Sequence, residues 1–136
     1  MSVNVEHDED DETLTLSVEV DISGATQEQG EMYAEMATIF GNRYALFIDK
    51  NLDYDSSFLS AGKVEQALDS GGGPFDSAHE SNLYKLFTRI QDKDQRFYSL
   101  AFTGNEDRVG ESAAETAGDA GVYWFMVQWL IEHGRE

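Results

Sequence analysis

Apolar and polar residues alternate strictly over one stretch of ten residues near the N-terminus. Every second residue of 13–22 is aliphatic: Leu14, Leu16, Val18, Val20 and Ile22. A period of two predicts a β-strand with one apolar face. A strand cannot stand alone, so it must pair with another segment or with its copy in a second subunit. No other segment alternates as clearly, and this favours a dimer.

Three longer segments repeat apolar residues at helical spacing, over about 26–50, 81–102 and 111–133. Thr26 and Gln29 are spaced for a capping box at the first start. The first apolar stripe comprises Met32, Tyr33, Met36, Ile39, Phe40 and Phe47. The second comprises Leu83, Leu86, Phe87, Ile90, Phe97 and Ala101, and the third Ala113, Ala117, Ala120, Trp124, Val127 and Ile131. We therefore expect a mainly α fold, a three- to four-helix bundle with a short N-terminal β-strand.

The remaining segments are predicted to be a tail, turns, a short helix and a loop. Residues 6–12 are acidic except for His7, so residues 1–12 are predicted to be an acidic disordered tail. Residues 51–57 and 104–110 are predicted turns, 61–68 a short helix, and the glycine-rich 70–76 a loop. No linker separates domains, and residues 13–136 are expected to form a single helical domain with the N-terminal strand.

The charge balance is extreme, because 27 acids face nine bases for a formal net charge of −18. Such a surface repels nucleic-acid phosphates, which argues against direct nucleic-acid binding. Acid-rich, lysine-poor composition is typical of salt-accumulating archaea, since molar salt screens the repulsion. A DNA mimic is the alternative. It predicts acids concentrated on one surface, whereas the acids of this sequence are spread along the chain. No apolar run is long enough to span a membrane and no signal-peptide pattern is present, so we expect a cytoplasmic protein in a high-salt cytosol.

Carboxylates line one side of the third predicted helix. Glu111, Glu115 and Asp119 lie at i, i+4 and i+8, and the same face becomes apolar further along. Aligned carboxylates beside a covered surface suit Mg²⁺, which prefers oxygen ligands. The alternative is an ordinary solvated acidic face.

The second predicted helix carries the opposite charge. Lys85, Arg89, Lys93 and Arg96 are four of the nine bases, and their spacing forms one stripe. Their partners could be the acids of the third helix or the phosphates of a substrate. Asp94 falls within the apolar stripe, where a buried carboxylate would need a partner or a metal, and Asp92 projects to the opposite side.

Three segments resemble, in order, the motifs of the first nucleotide-modification-associated domain family of phages and bacteria. The first runs from Lys50-Asn51-Leu52-Asp53-Tyr54 to Phe58, with Asp55 where the family has glycine. The second is Arg89-Ile90-Gln91-Asp92-Lys93-Asp94-Gln95-Arg96. The third runs from Glu111-Ser112 through Glu115, where the family has aspartate, and Asp119 to Tyr123. The likeness covers about residues 30–132.

This resemblance implies a role in nucleotide metabolism or DNA base modification, in a virus or provirus context. The helical layout is similar to the all-α nucleoside triphosphate pyrophosphatases of the MazG-like kind, an analogy of fold only. On that basis Glu111, Glu115 and Asp119, with Asp92, would hold a catalytic Mg²⁺. Lys93 and Arg96 would bind the phosphates of a nucleotide or nucleoside triphosphate. Lys50, Asn51, Asp53, Tyr54 and Tyr123 would complete the substrate site.

The leading interpretation is thus a nucleotide-handling protein, with magnesium-dependent pyrophosphohydrolysis of nucleoside triphosphates as the implied reaction. Whether the chain is an enzyme stays open. The alternative is a non-enzymatic interaction or virion-associated protein, whose strand and apolar C-terminal helix build a homo-oligomer. An enzyme needs its acidic and basic stripes to meet at an open pocket, whereas a structural protein would pair them off.

Overall fold

The computed structural model describes residues 1–53, 77–104 and 112–134. Two strands, β1 (Ser2–Asp8) and β2 (Thr13–Glu19), precede three helices in these ranges: α1 (Gln27–Asp53), α2 (Ala78–Phe102) and α3 (Ala113–His133). The predicted class, a helical bundle with a short N-terminal β element, is confirmed. The predicted helix at 61–68 and the loop at 70–76 lie outside the described residues. The contacts divide the chain into two compact units, Met1–Ile39 and Phe40–Glu136, and the single domain expected over residues 13–136 stays a prediction.

The first unit begins with an antiparallel hairpin. The predicted strand is present as β2, and its partner is β1 of the same chain, within the segment predicted to be a disordered tail. Asp8 accepts hydrogen bonds from the backbone N–H groups of Asp10 and Asp11, at 3.0 and 3.1 Å, and this turns the chain between the strands. An acid of the segment predicted to be a disordered tail thus forms the turn of the hairpin.

Helix α1 begins at the predicted capping box. The Gln29 side chain accepts from the Thr26 N–H at 2.9 Å, and the Thr26 hydroxyl accepts from the Gln29 N–H at 3.1 Å. Just upstream, the Ser23 N–H donates to Asp21 at 2.9 Å. This bond, with the side chain of Ser23, lowers the pKa of Asp21 below its ordinary value. Helix α1 continues to Asp53, so residues 51–53 are helical and not the predicted turn.

The second unit packs α2 against α3. The buried apolar side chains among the described residues are Leu86 and Ile90 of α2 and Leu130 of α3. Ser77 caps α2 by accepting from the Glu80 N–H at 3.1 Å. At its other end, Gly104 adopts φ +71°, the left-handed conformation that glycine tolerates after a helix.

The packed face of α3 differs from the predicted one. Trp124 and Ile131, predicted to be in the core, are 51% and 65% exposed, whereas Thr116 and Leu130 are almost fully buried. The two faces are less than a third of a turn apart, and alanines and glycines over the first turns blur the apolar pattern. As a result, Asp119 lies on the side of α3 that meets the other helices.

Candidate functional site

The polar centre of the second unit is an ion cluster at Asp119, to which α1, α2 and α3 contribute one side chain each. Arg43 Nη1 donates to Asp119 Oδ1 at 3.0 Å, and Lys93 Nζ donates to Asp119 Oδ2 at 3.2 Å. The three side chains are 21–22% exposed. We call Arg43, Lys93 and Asp119 the ion cluster below. Because water is partly excluded, its charges interact more strongly than surface pairs do.

Gly118 provides the space that Arg43 occupies. A Cβ at this position would overlap Nε and Cζ of the Arg43 guanidinium, with Nη2 at 2.9 Å. The guanidinium therefore lies directly on the backbone of α3, one residue before the carboxylate that it binds. Beside it, the rings of Phe40 and Phe125 meet edge to face with centroids 5.6 Å apart.

Arg43 was not among the candidates that the sequence suggested. It follows Met36 and Phe40 and precedes Phe47, at spacings of four and three along the apolar stripe of α1. A base inside an apolar stripe, in a chain with only nine bases, is a signal that it meets an acid. The sequence could not indicate which acid, because the partner is 76 residues further on.

The stacked carboxylates of the third helix take separate roles. Ser112 and Glu115 form a capping box: the Ser112 hydroxyl accepts from the Glu115 N–H at 3.1 Å, and the Glu115 carboxylate accepts from the Ser112 N–H at 3.4 Å. Glu115 is thus engaged at the start of α3, whereas Asp119 binds two cations one turn later. Glu111, the third candidate, lies outside the described residues.

The basic residues of α2 differ in how far they are buried. Lys93 and Arg96 are half-buried, and Lys85 and Arg89 are exposed. Of the two kinds of partner considered for this basic stripe, Lys93 has an acid of the third helix, Asp119. Asp94, expected to be buried, is exposed because the packed face passes from Ile90 to Lys93, three residues on. Asp92 is exposed as well.

The first motif lies at the end of α1. Lys50 is exposed and Asn51 half-buried, while Asp53 ends the helix and Tyr54 lies beyond the described part. Tyr123 is half-buried on α3, one turn after Asp119. Of the predicted site residues, the structure therefore brings together Lys93 and Asp119. It adds Arg43 to them.

The partners of the described carboxylates bear on whether a metal ion could bind at the ion cluster. In the ranges that the structure describes, no three His, Cys, Asp or Glu side chains are placed to hold a metal ion together. Both carboxylate oxygens of Asp119 already accept from cations. A metal ion at Asp119 would have to displace Arg43 or Lys93, so the ion cluster suits an anion better than a cation.

Comparison with known proteins gives no match to a family model, to a curated protein or to a solved structure. The likeness to nucleotide-modification-associated domains therefore stays a prediction. Over the described ranges, no helix is long and apolar enough to cross a membrane.

Proposed function

We propose that this protein handles nucleotides and that the ion cluster binds their phosphates. One observation carries the proposal. Lys93 of the second family-like motif and Asp119 of the third, 26 residues apart, meet at 3.2 Å, and Arg43 of another helix joins them. Three helices thereby place two cations around one small, partly buried anionic group.

The chemistry of the cluster suits a phosphate. A guanidinium offers several N–H donors in one plane and binds phosphate oxygens in pairs, while an ammonium acts as a point charge. Asp119 keeps Arg43 and Lys93 close together despite their mutual repulsion. A phosphate group offers more oxygens and more charge than a carboxylate, so it can take the place of Asp119 between them. Asp119 is then a positioning residue.

In this proposal Mg²⁺ binds together with the nucleotide. Mg²⁺ at nucleotide sites is typically held by one or two carboxylates together with substrate phosphates. The reaction that the resemblance implies is hydrolysis of a nucleoside triphosphate between the α and β phosphates. Glu111 and Asp92 are the remaining carboxylate candidates for that metal, since Asp119 and Glu115 have other partners.

Thermal unfolding with added nucleotides tests the proposal. In molar KCl, a nucleoside triphosphate with Mg²⁺ should raise the melting temperature of the wild type. Lys93→Gln should abolish this rise, whereas Lys85→Gln, the same change at an exposed position of α2, should retain it. Release of pyrophosphate in the same mixtures would identify the reaction. If no nucleoside triphosphate shifts the wild type, the protein does not handle nucleotides in this way.

A second candidate is a non-enzymatic, homo-oligomeric interaction protein. It is favoured by the large apolar side chains that α3 leaves exposed: Trp124 at 51%, Phe125 at 57%, Trp129 at 44% and Ile131 at 65%. Exposed apolar patches of this kind mark binding surfaces. The pairing of Lys93 with Asp119 fits this candidate too. The nucleotide screen separates the two, because only the first requires a response to triphosphate.

A further inference from the structure

The hairpin of the first unit has two chemically different faces. In its register, Val3 lies opposite Val18, Val5 opposite Leu16, and His7 opposite Leu14. These pairs share one face, because side chains alternate along a strand. The other face carries Ser2 with Glu19, Asn4 with Ser17, Glu6 with Thr15, and Asp8 with Thr13. The acids of the paired positions therefore all lie on one side, and the other side, the apolar face, has none.

The side chains of the apolar face are well exposed in the part of the chain that the structure describes. Val3 and Val5 are each 57% exposed, Val18 is 56%, and even Leu16 is 37% exposed. No residue of the unit Met1–Ile39 is classed as buried. An isolated two-stranded hairpin is marginal in water, and a segment of this size rarely builds its own core. A regular hairpin whose apolar face is aliphatic except for His7 therefore needs something to cover it.

The apolar surface of this unit matches what a dimer requires. Besides the hairpin residues, it exposes Val20, Ile22, Met32, Tyr33, Met36 and Ile39, each between 42% and 60%. At roughly 30–60 Å² for each half-exposed side chain, the unit offers on the order of 500 Å² of apolar surface. A stable interface buries about 800 Å² per partner, of which a little over half is apolar.

The distribution of charge is compatible with a second copy of the chain as the partner. The segment 1–39 contains eleven acids and no lysine or arginine, so a partner that meets it broadly must avoid placing acids against acids. Two copies that meet through the apolar face satisfy this condition, since their acidic faces point away from each other. A face of this kind is self-complementary about a twofold axis. Molar salt screens the repulsion that remains between the two units.

We propose that two copies of this protein form a homodimer at high salt by packing together the apolar surfaces of their Met1–Ile39 units, including the apolar faces of their hairpins. The proposal does not depend on nucleotide binding. Light scattering in molar KCl should give twice the chain mass of 15.2 kDa. Leu16→Glu should return the mass to that of a monomer. Ser17→Glu, the same new charge on the neighbouring residue of the acidic face, should leave the dimer intact.

A cross-linking experiment removes the concern that Leu16→Glu unfolds the hairpin. The chain contains no cysteine. A single Leu16→Cys should therefore form a disulfide-linked dimer under mild oxidation in molar KCl, and Ser17→Cys should not. A wild-type monomer up to high protein concentration would overturn the proposal. So would a dimer that Leu16→Glu leaves unchanged, because another surface would then hold it. Equal cross-linking of both cysteine variants would also contradict it.

Discussion

Gly118 is the residue that allows Arg43 to reach Asp119. Any side chain there would occupy the volume of the guanidinium, so the contact of Arg43 with the backbone of α3 depends on a missing Cβ. At Gly121, one turn further along α3, a Cβ would meet no atom of the other described residues within 4 Å, apart from the helix's own backbone. The two glycines form a matched pair for experiment, since both are helical and they differ in what surrounds them.

Gly121→Ala should stabilise the protein, because alanine favours a helix over glycine by about 1 kcal/mol. Gly118→Ala should lose that gain and more, because the new methyl group displaces Arg43 from the ion cluster. The free energy of unfolding, from denaturant titration in molar KCl, measures both. If the two substitutions stabilise equally, Arg43 does not lie against Gly118.

Residues whose charge recurs at helical spacing could be predicted from the sequence, whereas pairings between distant helices could not. The carboxylate of Asp119 and the ammonium of Lys93 could be chosen from sequence, since charged residues stood at regular helical spacing in a chain with few bases. Arg43 could not be assigned to them, because its pairing depends on how distant helices meet. Asp94 illustrates the same limit: one residue along a helix turns a side chain by about 100°, enough to move it from the packed side to solvent.

At the scale of elements, the first turn of α3 has a local explanation that does not involve a metal. Ser112 and Glu115 have the serine-x-x-glutamate spacing of a capping box, and the structure forms it in both directions. The acidic pattern at 111–119 therefore includes a helix-start signal. Glutamine can replace glutamate in such a box. The substitution Glu115→Gln therefore distinguishes a capping role from a role that requires the negative charge.

Ser112→Ala should destabilise the protein by about 1 kcal/mol, because the Glu115 N–H loses its acceptor. Glu115→Gln should cost only a few tenths of a kcal/mol, because the amide oxygen still accepts from Ser112 and the charge contributes little there. Denaturant titration measures both variants. A loss for Glu115→Gln as large as for Ser112→Ala would show that the carboxylate charge at this position matters beyond capping.

The elements themselves were predictable where a pattern was long or a cap was specific. The helix start at Thr26, the period-two strand and the second helix followed from local chemistry. Strand β1 did not, because Glu6, His7 and Asp8 obscure the alternation of Val3 and Val5. The prediction of which face of α3 points inward was wrong by less than a third of a turn. The alanines and glycines of the helix weaken the apolar signal, and its large aromatic side chains are exposed.

For the whole molecule, net charge sets the conditions under which the fold is stable. Eighteen net negative charges repel one another at low ionic strength, and the acids are most concentrated in residues 1–39. Melting temperature should therefore rise steadily with KCl up to molar concentrations, as the Debye length falls to about 3 Å. Sodium chloride should act similarly, as expected for screening. A melting temperature that does not change with salt would contradict adaptation to a salt-rich cytosol.

The central claim is that Asp119 positions two cations for a phosphate and is not itself a metal ligand. Thermal unfolding of wild type and Asp119→Asn tests it, with inorganic triphosphate or Mg²⁺ added separately in molar KCl. Without ligand, the variant should be less stable by about 2 kcal/mol, because two charged donors lose their acceptor.

In the same measurement, triphosphate should raise the melting temperature of the wild type, and less in Asp119→Asn, because the variant no longer holds Arg43 and Lys93 together against their mutual repulsion. Mg²⁺ alone should shift neither protein. A rise with Mg²⁺ alone in the wild type that disappears in Asp119→Asn would make Asp119 a metal ligand and contradict the account. The absence of any triphosphate effect in the wild type would contradict it equally.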